Sequence, residues 1–219
     1  PYFRPDINQC DIDEVVKIIK SRRLADGSTV SRFEAALSHY LGSDFNVVVV
    51  SSGSAALYLA LRALSIGKND EVIIPTYACS SLLHSISLVG GKPVIVDIDP
   101  DTWNLDINLV SQVITKKTKT IILTHTYGSP VNALKFKSFG IPIVEDCAQS
   151  LGAMIGQKMV GTIGDVGICS FYATKLITTG HGGAVWSTNP KLIQNIKSIR
   201  NYDIQPFNPG HFNFLLTDI

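Results

Sequence analysis

The apolar residues of the chain form two kinds of pattern, one before Gly42 and another after it. Before Gly42, apolar side chains recur every three or four positions, which predicts helices over residues 10–21 and 31–40. Ser31 and Glu34 stand three positions apart at the start of the second stretch, as in a capping box. The pattern therefore predicts an N-terminal helical segment over residues 1–40.

After Gly42 the apolar positions gather in short runs, each bounded by turn residues. Seven such runs occupy residues 47–50, 72–74, 93–96, 120–123, 141–144, 166–171 and 183–186. Because the runs lack alternating polar positions, both faces of each strand must be covered, as in a parallel sheet between helices. Helical spacing separates or follows the runs over residues 55–64, 80–89 and 190–200. The order predicts a doubly wound α/β domain over residues 41–200, with one large sheet.

The composition excludes two classes of binding partner. The chain has 219 residues, of which 45% are hydrophobic and 17% charged, and its net charge is +1. So small a charge gives no strong field to hold nucleic acid or an anionic membrane, and neither is expected as a partner. No signal-peptide pattern and no run of 18 apolar residues is present, so we expect a cytoplasmic protein.

The four cysteines, at positions 10, 79, 147 and 169, show no CxxC spacing. Neither a zinc site nor a thioredoxin-like motif is therefore predicted, and no metal site is expected. Cysteines scattered among apolar residues are typical of buried thiols in a reducing compartment.

In open α/β sheets ligands bind at the carboxyl ends of the strands, so the residues after each run carry the candidate chemistry. After the first run, Gly53 stands between the small hydroxyl residues Ser52 and Ser54 and opens a helix rich in Ala and Leu. Free amide groups at such a helix start can hold a phosphate, although an ordinary capped helix has the same pattern. The segment is neither a Walker loop nor a GxGxxG motif.

Two further strand ends carry charged residues. Glu145 and Asp146 follow the fifth run, where a buried carboxylate either caps a loop or meets a cationic ligand atom. Lys175 follows the sixth run, near a glycine-rich turn, and either extends to the surface or serves as a reactive amine. A phosphate cradle, a strand-end Asp and a Lys together are the groups that bind pyridoxal phosphate (PLP). Tyr77, just past the second run, could stack on the ring.

Several longer segments, in this order, carry a resemblance to a known family. They are FEAALSHYLGS, VSSGSAALYLALRAL, DEVIIPTYACSSLLHSISLVGGKPVIVDIDPDTWNLD, HTYGSP, VEDCAQSLGA, GDVGICSFYATKLITTGHGGAVW and IRNYD. The chain resembles the DegT-type (DegT/DnrJ/StrS) sugar aminotransferases, PLP enzymes of fold type I, over almost its whole length. The resemblance implies a three-layer α/β/α sandwich with a mostly parallel seven-stranded sheet.

The resemblance also implies roles for individual residues. Lys175 matches the lysine that forms the Schiff base with PLP and moves protons in the 1,3-shift, and Asp146 matches the partner of the pyridine nitrogen. The remaining matches are cofactor contacts: Tyr77 stacks on the ring, Gln149 contacts its phenolic oxygen, Gly53, Ser54 and Ser170 bind the phosphate, and Asn213 reaches the phosphate in a neighbouring subunit. His125 and His181 lie in family motifs and are expected to orient backbone rather than to transfer protons.

The implied reaction transfers an amino group from an amino acid, usually glutamate, to the keto group of a nucleotide-linked sugar. It belongs to amino-sugar biosynthesis for surface polysaccharide and takes place in a homodimer. The 3-dehydratase relatives carry His in place of Lys175, so the lysine favours transamination. Another PLP reaction, such as dehydration or a lyase reaction, and a truncated non-catalytic relative are the alternatives.

The chain departs from the family pattern near its C-terminal end. Residues 213–216 read Asn-Phe-Leu-Leu where the family commonly has Asn-Tyr-Arg-Met, which removes a cation from the predicted subunit contact. Family members continue into a smaller C-terminal domain, so residues 201–219 are expected to begin a connection to a domain that is absent here. We therefore expect little or no transaminase activity from the 219-residue chain alone.

Overall fold

The computed structural model describes residues 3–25, 27–201 and 212–219. Its α-helices are α1 (Gln9–Ser21), α2 (Ser28–Leu41), α3 (Gly53–Ala63), α4 (Ser81–Leu88), α5 (Ile107–Val113), α6 (Ala133–Lys137) and α7 (Pro190–Arg200). Its strands are β1 (Asn46–Val50), β2 (Glu71–Pro75), β3 (Lys92–Val96), β4 (Thr118–Thr124), β5 (Ile143–Asp146), β6 (Met154–Ile155), β7 (Lys158–Met159), β8 (Val166–Ser170) and β9 (Gly183–Ser187).

Seven of these strands form one sheet, in the order β1-β9-β8-β5-β4-β2-β3. Strand β9 lies between β1 and β8 and is antiparallel to both, whereas the other pairings in the sheet are parallel. Strands β6 and β7 form a separate short hairpin. All seven apolar runs identified in the sequence are strands of the large sheet, so the mostly parallel seven-stranded prediction is confirmed.

Helices cover both faces of the sheet, which explains why its strands lack polar alternation. In β1, Val48 and Val50 pack in one cluster with α3, α4 and α7. Val47 and Val49 point to the opposite face, into a cluster that includes α2. A third cluster places α5 and α6 over β2, β4 and β5 on that second face. The predicted three-layer α/β/α sandwich is therefore confirmed.

The capping box predicted for α2 is wrong. The helix begins three residues earlier, with Gly27 at its N-cap, and Ser31 lies inside its first turns. Glu34 instead accepts a hydrogen bond from the backbone N–H of Val49 at 3.0 Å and pairs with Arg200 at 2.9 Å. A glycine N-cap supplies no side-chain oxygen, so the helix start needs an acceptor from elsewhere in the chain.

Helix α1 forms as predicted but stays outside the core, since none of its residues is buried. Its apolar face, with Ile12, Val15, Val16 and Ile19, is exposed. Over residues 3–25, 27–201 and 212–219, no helix combines the length and the apolar character needed to cross a membrane.

Candidate functional site

A cavity of about 680 Å³ lies at the carboxyl ends of the parallel strands. Seven of the eight site residues predicted from the sequence line it: Gly53, Ser54, Tyr77, Asp146, Gln149, Ser170 and Lys175. The eighth, Asn213, is exposed, and its Oδ1 accepts a hydrogen bond from the N–H of Leu215 at 3.0 Å. Its predicted role involves a neighbouring subunit and stays a prediction.

One wall of the cavity is the N-terminus of α3. Ser52 caps the helix by accepting a hydrogen bond on Oγ from the N–H of Ala55 at 3.1 Å. The amides of Gly53 and Ser54 open the helix without intrahelical partners, at the positive end of its dipole. A Cβ on Gly53 would lie 2.7 Å from Cβ of Ser170, so a larger residue would close the gap between the helix and β8. The geometry suits a phosphate held between helix and strand.

Asp146 stands at the end of β5 and faces the same cavity. It is only 9% exposed, and its Oδ1 accepts a hydrogen bond from the N–H of Ala148 at 2.9 Å. Burial raises the pKa of Asp146, and that hydrogen bond and the charge of Lys175 offset the effect only in part. Within the described ranges Asp146 has no salt-bridge partner. A positively charged ligand atom in the cavity would supply one.

Lys175 lies on the loop that joins β8 to β9. Its backbone N–H donates to the carbonyl oxygen of Tyr172 at 2.9 Å, and the loop closes where the N–H of Thr179 donates to Phe171 at 3.0 Å. The side chain is half-buried and lines the cavity. This placement favours a reactive amine over a lysine that extends to the outer surface.

Tyr127, which the sequence analysis did not single out, connects two of the predicted ring contacts. Its hydroxyl lies 2.7 Å from the hydroxyl of Tyr77, and its backbone N–H donates to Oε1 of Gln149 at 2.9 Å. With Oε1 engaged, Gln149 offers its NH₂ group as a donor to a ligand. Its segment, HTYGSP, carries part of the family resemblance, and it closely follows the end of β4, but neither signal assigned this tyrosine a role.

His125 is buried and has partners on both ring nitrogens. Nδ1 accepts a hydrogen bond from the N–H of Val131 at 3.0 Å, so Nε2 carries the hydrogen and donates to Oε2 of Glu145 at 3.2 Å. The other oxygen of Glu145 accepts from the backbone amides of Ile163 and Gly164. Burial acts to raise the pKa of Glu145, but the hydrogen bonds from His125 and the amides outweigh it and lower that pKa. These contacts agree with the expectation that His125 orients backbone.

His181 reaches the cavity from the glycine-rich turn. Its ring centroid lies 5.2 Å from that of Tyr172, and its carbonyl oxygen accepts from the hydroxyl of Thr179 at 2.6 Å. The geometry assigns His181 no chemical step.

The cysteines divide into two groups. Cys147 and Cys169 are buried as expected, and burial raises the pKa of Cys169 to about 12. Cys10 and Cys79 are exposed, contrary to the expectation for all four, because Cys10 lies on the solvent-exposed α1 and Cys79 at the cavity rim. The described residues contain no cluster of three or more His, Cys, Asp or Glu side chains placed to hold a metal ion.

Comparison with known proteins gives a family match across most of the chain. Residues 5–213 match the DegT/DnrJ/EryC1/StrS aminotransferase family. An uncharacterized protein of Methanocaldococcus jannaschii is 39% identical over 208 residues, which are 93% of this chain and 54% of that protein. GDP-perosamine synthase of Escherichia coli O157:H7 is 35% identical over 198 residues, which are 88% of this chain and 54% of that enzyme.

A solved structure supports the same relationship. The PLP-form of the Streptococcus pneumoniae protein Spr1654 superposes with a TM-score of 0.84 at 32% identity, covering 91% of this chain and 57% of that one. The chain thus spans about half the length of the curated relatives that it matches, at 54% of each of the two relatives above.

Proposed function

Because the chain belongs to the DegT/DnrJ/EryC1/StrS aminotransferase family, we propose that residues 41–200 form the cofactor-binding large domain of a PLP-dependent aminotransferase. The fold is that of the fold type I enzymes. The proposed reaction moves an amino group from an amino acid, with glutamate as the expected donor, to the keto group of a nucleotide-linked sugar. One observation carries the proposal: Lys175, Asp146 and the first turn of α3 line one cavity.

The residues of this cavity fit PLP group by group. The amides of Gly53 and Ser54 and the hydroxyl of Ser170 suit the phosphate, and the gap that Gly53 keeps open lies between them. Asp146, buried and without a salt-bridge partner in the described ranges, suits a protonated pyridine nitrogen. When bound, PLP supplies an electron sink for the carbon next to the transferred nitrogen.

The side chains around the ring divide the remaining work. A negative charge on Asp146 would hold a proton on the ring nitrogen of bound PLP, because the low-dielectric surroundings strengthen their attraction. Lys175 would be the covalent attachment point and would carry protons at Nζ, since its amine lines the cavity. The NH₂ group of Gln149 would donate to the phenolic oxygen, and the ring of Tyr77 would stack on the cofactor ring and exclude water.

The names of the similar proteins support the proposed substrates. The name GDP-perosamine synthase, carried by the E. coli relative, supports a nucleotide-linked sugar as acceptor. A Bacillus subtilis relative, 34% identical and named spore coat polysaccharide biosynthesis protein SpsC, supports a role in amino-sugar and surface-polysaccharide biosynthesis. We propose a homodimer, in which Asn213, exposed in the single chain, approaches the partner's cofactor phosphate. A cytoplasmic location accords with the exposed thiols of Cys10 and Cys79, which persist in a reducing compartment.

The test is to add PLP to the purified chain, record the absorbance spectrum, reduce with borohydride and locate the adduct by mass spectrometry. An adduct on Lys175 that survives in Lys191→Ala and disappears in Lys175→Ala supports the proposal, since Lys191 is an exposed residue of α7. A folded protein without an adduct, or with adducts spread over surface lysines, contradicts it. Incubation with glutamate and a nucleotide-linked keto-sugar then separates an aminotransferase from a chain that binds PLP without turnover.

A further inference from the structure

Two bulky residues beside the cavity have left-handed backbone conformations. Trp103 has φ 60° and Tyr127 has φ 52° with ψ 29°. Such values are uncommon outside glycine, and they concentrate at functional sites because the surrounding structure must compensate for their cost. Both residues contact Tyr77, the predicted ring-stacking residue.

The two contacts hold Tyr77 from different directions. The ring of Trp103 lies edge-on to it, with centroids 5.2 Å apart and planes at 73°. Tyr127 holds the far end of the side chain, with its hydroxyl 2.7 Å from that of Tyr77. A side chain fixed along its ring and at its tip loses most of its rotamer freedom before any ligand arrives.

Tyr127 makes a second contact through its backbone. Its N–H donates to Oε1 of Gln149 at 2.9 Å, while its side chain extends to Tyr77. The backbone dihedrals determine the angle between a residue's N–H and its side chain. The left-handed conformation thus lets one residue reach both partners, and a right-handed one would turn one of them away.

We propose that Tyr127 is a positioning residue for the cofactor ring, an inference that rests on the proposed function. Its hydroxyl holds Tyr77 in the stacking position, and its N–H orients the amide of Gln149 so that the NH₂ group is presented to the ring's phenolic oxygen. In this role Tyr127 acts through Tyr77 and Gln149. The hydrogen bond with Tyr77 also raises the pKa of Tyr127.

The test compares Tyr127→Phe, Tyr77→Phe and the double variant with the wild-type chain. Each single variant removes the same hydroxyl–hydroxyl bond and keeps the aromatic ring, and Tyr127→Phe also keeps the N–H to Gln149. We expect the PLP dissociation constant to rise roughly three- to tenfold in each single variant, the range for one neutral hydrogen bond. The double variant should be no weaker than either single variant, because the same bond is lost. Tyr40→Phe, at an exposed tyrosine outside the cavity, is the matched control.

A second measurement needs no cofactor. The sequence has two tryptophans, and because Trp186 is fully buried, acrylamide quenching reports on Trp103. Release of Tyr77 in Tyr127→Phe should increase quenching of Trp103, while the midpoint of thermal unfolding stays that of the wild-type chain.

The outcomes separate this inference from the proposed function. Wild-type-like PLP affinity in Tyr127→Phe, unchanged quenching, or additive losses in the double variant would each overturn the positioning role while leaving PLP binding established. Weaker PLP affinity in Tyr127→Phe together with a lower midpoint of thermal unfolding would show that Tyr127 supports the fold. That result would also overturn the positioning role. A wild-type chain that forms no Lys175 adduct refutes the proposed function and the positioning role together, whatever Trp103 reports.

Discussion

The carboxylate of Asp218 accepts a hydrogen bond at 2.8 Å from the N–H of Val30, in the first turn of α2 and 188 positions away in the chain. Gly27, the N-cap residue, makes room for it, because a Cβ there would overlap Oδ2 of Asp218. The backbone of the same segment is anchored where the N–H of Asp218 donates to Leu24 at 3.0 Å. A side chain from the C-terminal segment thus performs the capping that the local sequence lacks.

Removing this cap should destabilise the fold. We expect Asp218→Ala to lower the free energy of unfolding by about 1 kcal/mol, the usual value of a helix N-cap. Chemical denaturation measures the change, with Asp6→Ala as an exposed control. Equal stability of the two variants would show that water replaces the cap without loss.

Glu145 should be far more sensitive to substitution than a surface glutamate. In Glu145→Gln one oxygen becomes an NH₂ group, which faces either the N–H of His125 or the amides of Ile163 and Gly164. Two donors then oppose each other in a buried place, at a cost of about 2–3 kcal/mol. Glu14→Gln, at an exposed pair with Lys17, is the control and should leave the denaturation midpoint unchanged.

The lowered pKa of Glu145 also predicts a pH dependence. A carboxyl group with a pKa below its ordinary 4.5 in the folded state binds fewer protons there than in the unfolded chain. Its stabilisation is complete above that value and is lost as the pH falls through the folded pKa. The stability difference between wild type and Glu145→Gln should therefore shrink under acid conditions, and a difference that grows on acidification would contradict this assignment.

Asp146 should behave in the opposite way in the cofactor-free protein. Its pKa is raised above the ordinary 3.8 by burial, so the folded state binds more protons than the unfolded one and stability falls as the pH rises through the folded pKa. Asp146→Asn keeps the acceptor for the N–H of Ala148 and removes the charge. We expect it to be more stable than wild type at pH 7 by on the order of 1 kcal/mol, with the gap closing towards pH 4.

Added PLP should reverse that order, because the wild-type carboxylate can pair with a protonated ring nitrogen and therefore gains more stability on binding than Asp146→Asn does. Thermal unfolding with and without PLP measures both effects, and Asp44→Asn on the surface is the control. A cofactor-free Asp146→Asn protein that is less stable than wild type at pH 7 would contradict the predicted effect of the buried charge.

Gly183, at the start of β9, should be essential for the predicted phosphate site at Gly53 and Ser54. A Cβ on Gly183 would overlap the carbonyl oxygen of Ser52 and lie 2.7 Å from the amide nitrogen of Gly53, and displacing backbone atoms is costly. Gly183→Ala should lower stability by about 1–3 kcal/mol and weaken PLP binding roughly tenfold or more, because it displaces the amides at the cavity. Gly67→Ala, where nothing lies within 4 Å, is the matched control, and PLP titration distinguishes the two.

The strands and most of the site were predictable because they depend on local patterns. Strands buried on both faces give apolar runs, and β1 and β8 appear in the sequence with nearly their observed bounds. Lys175 and Asp146 were found because the carboxyl ends of parallel strands meet at one edge of the sheet. That rule places both residues at one edge of the sheet, and the fold of the loop after β8 brings Lys175 to the cavity.

Contacts between residues that are far apart in the sequence were not predictable. Ser31 and Glu34 match a capping box by spacing, but Asp218 supplies the cap, and Glu34 bonds Val49 and Arg200 instead. The role of Tyr127 depends on a left-handed backbone at a non-glycine residue, for which no composition signal exists. The insertion of β9 between β1 and β8 likewise leaves no trace in the local pattern.

The position of β9 between β1 and β8 determines when the sheet can be completed during synthesis of the chain. Among the strands that the structure describes, β1 pairs only with β9, so the newly made run Asn46–Val50 has no neighbouring strand until β9 has been synthesised. At ordinary translation speed the time between the synthesis of β1 and that of β9 is on the order of ten seconds. During this time the four valines of β1 have no neighbouring strand, which favours aggregation. The proposed phosphate site between α3 and β8, which lies beside β1 and β9, is therefore not complete until β9 has been synthesised.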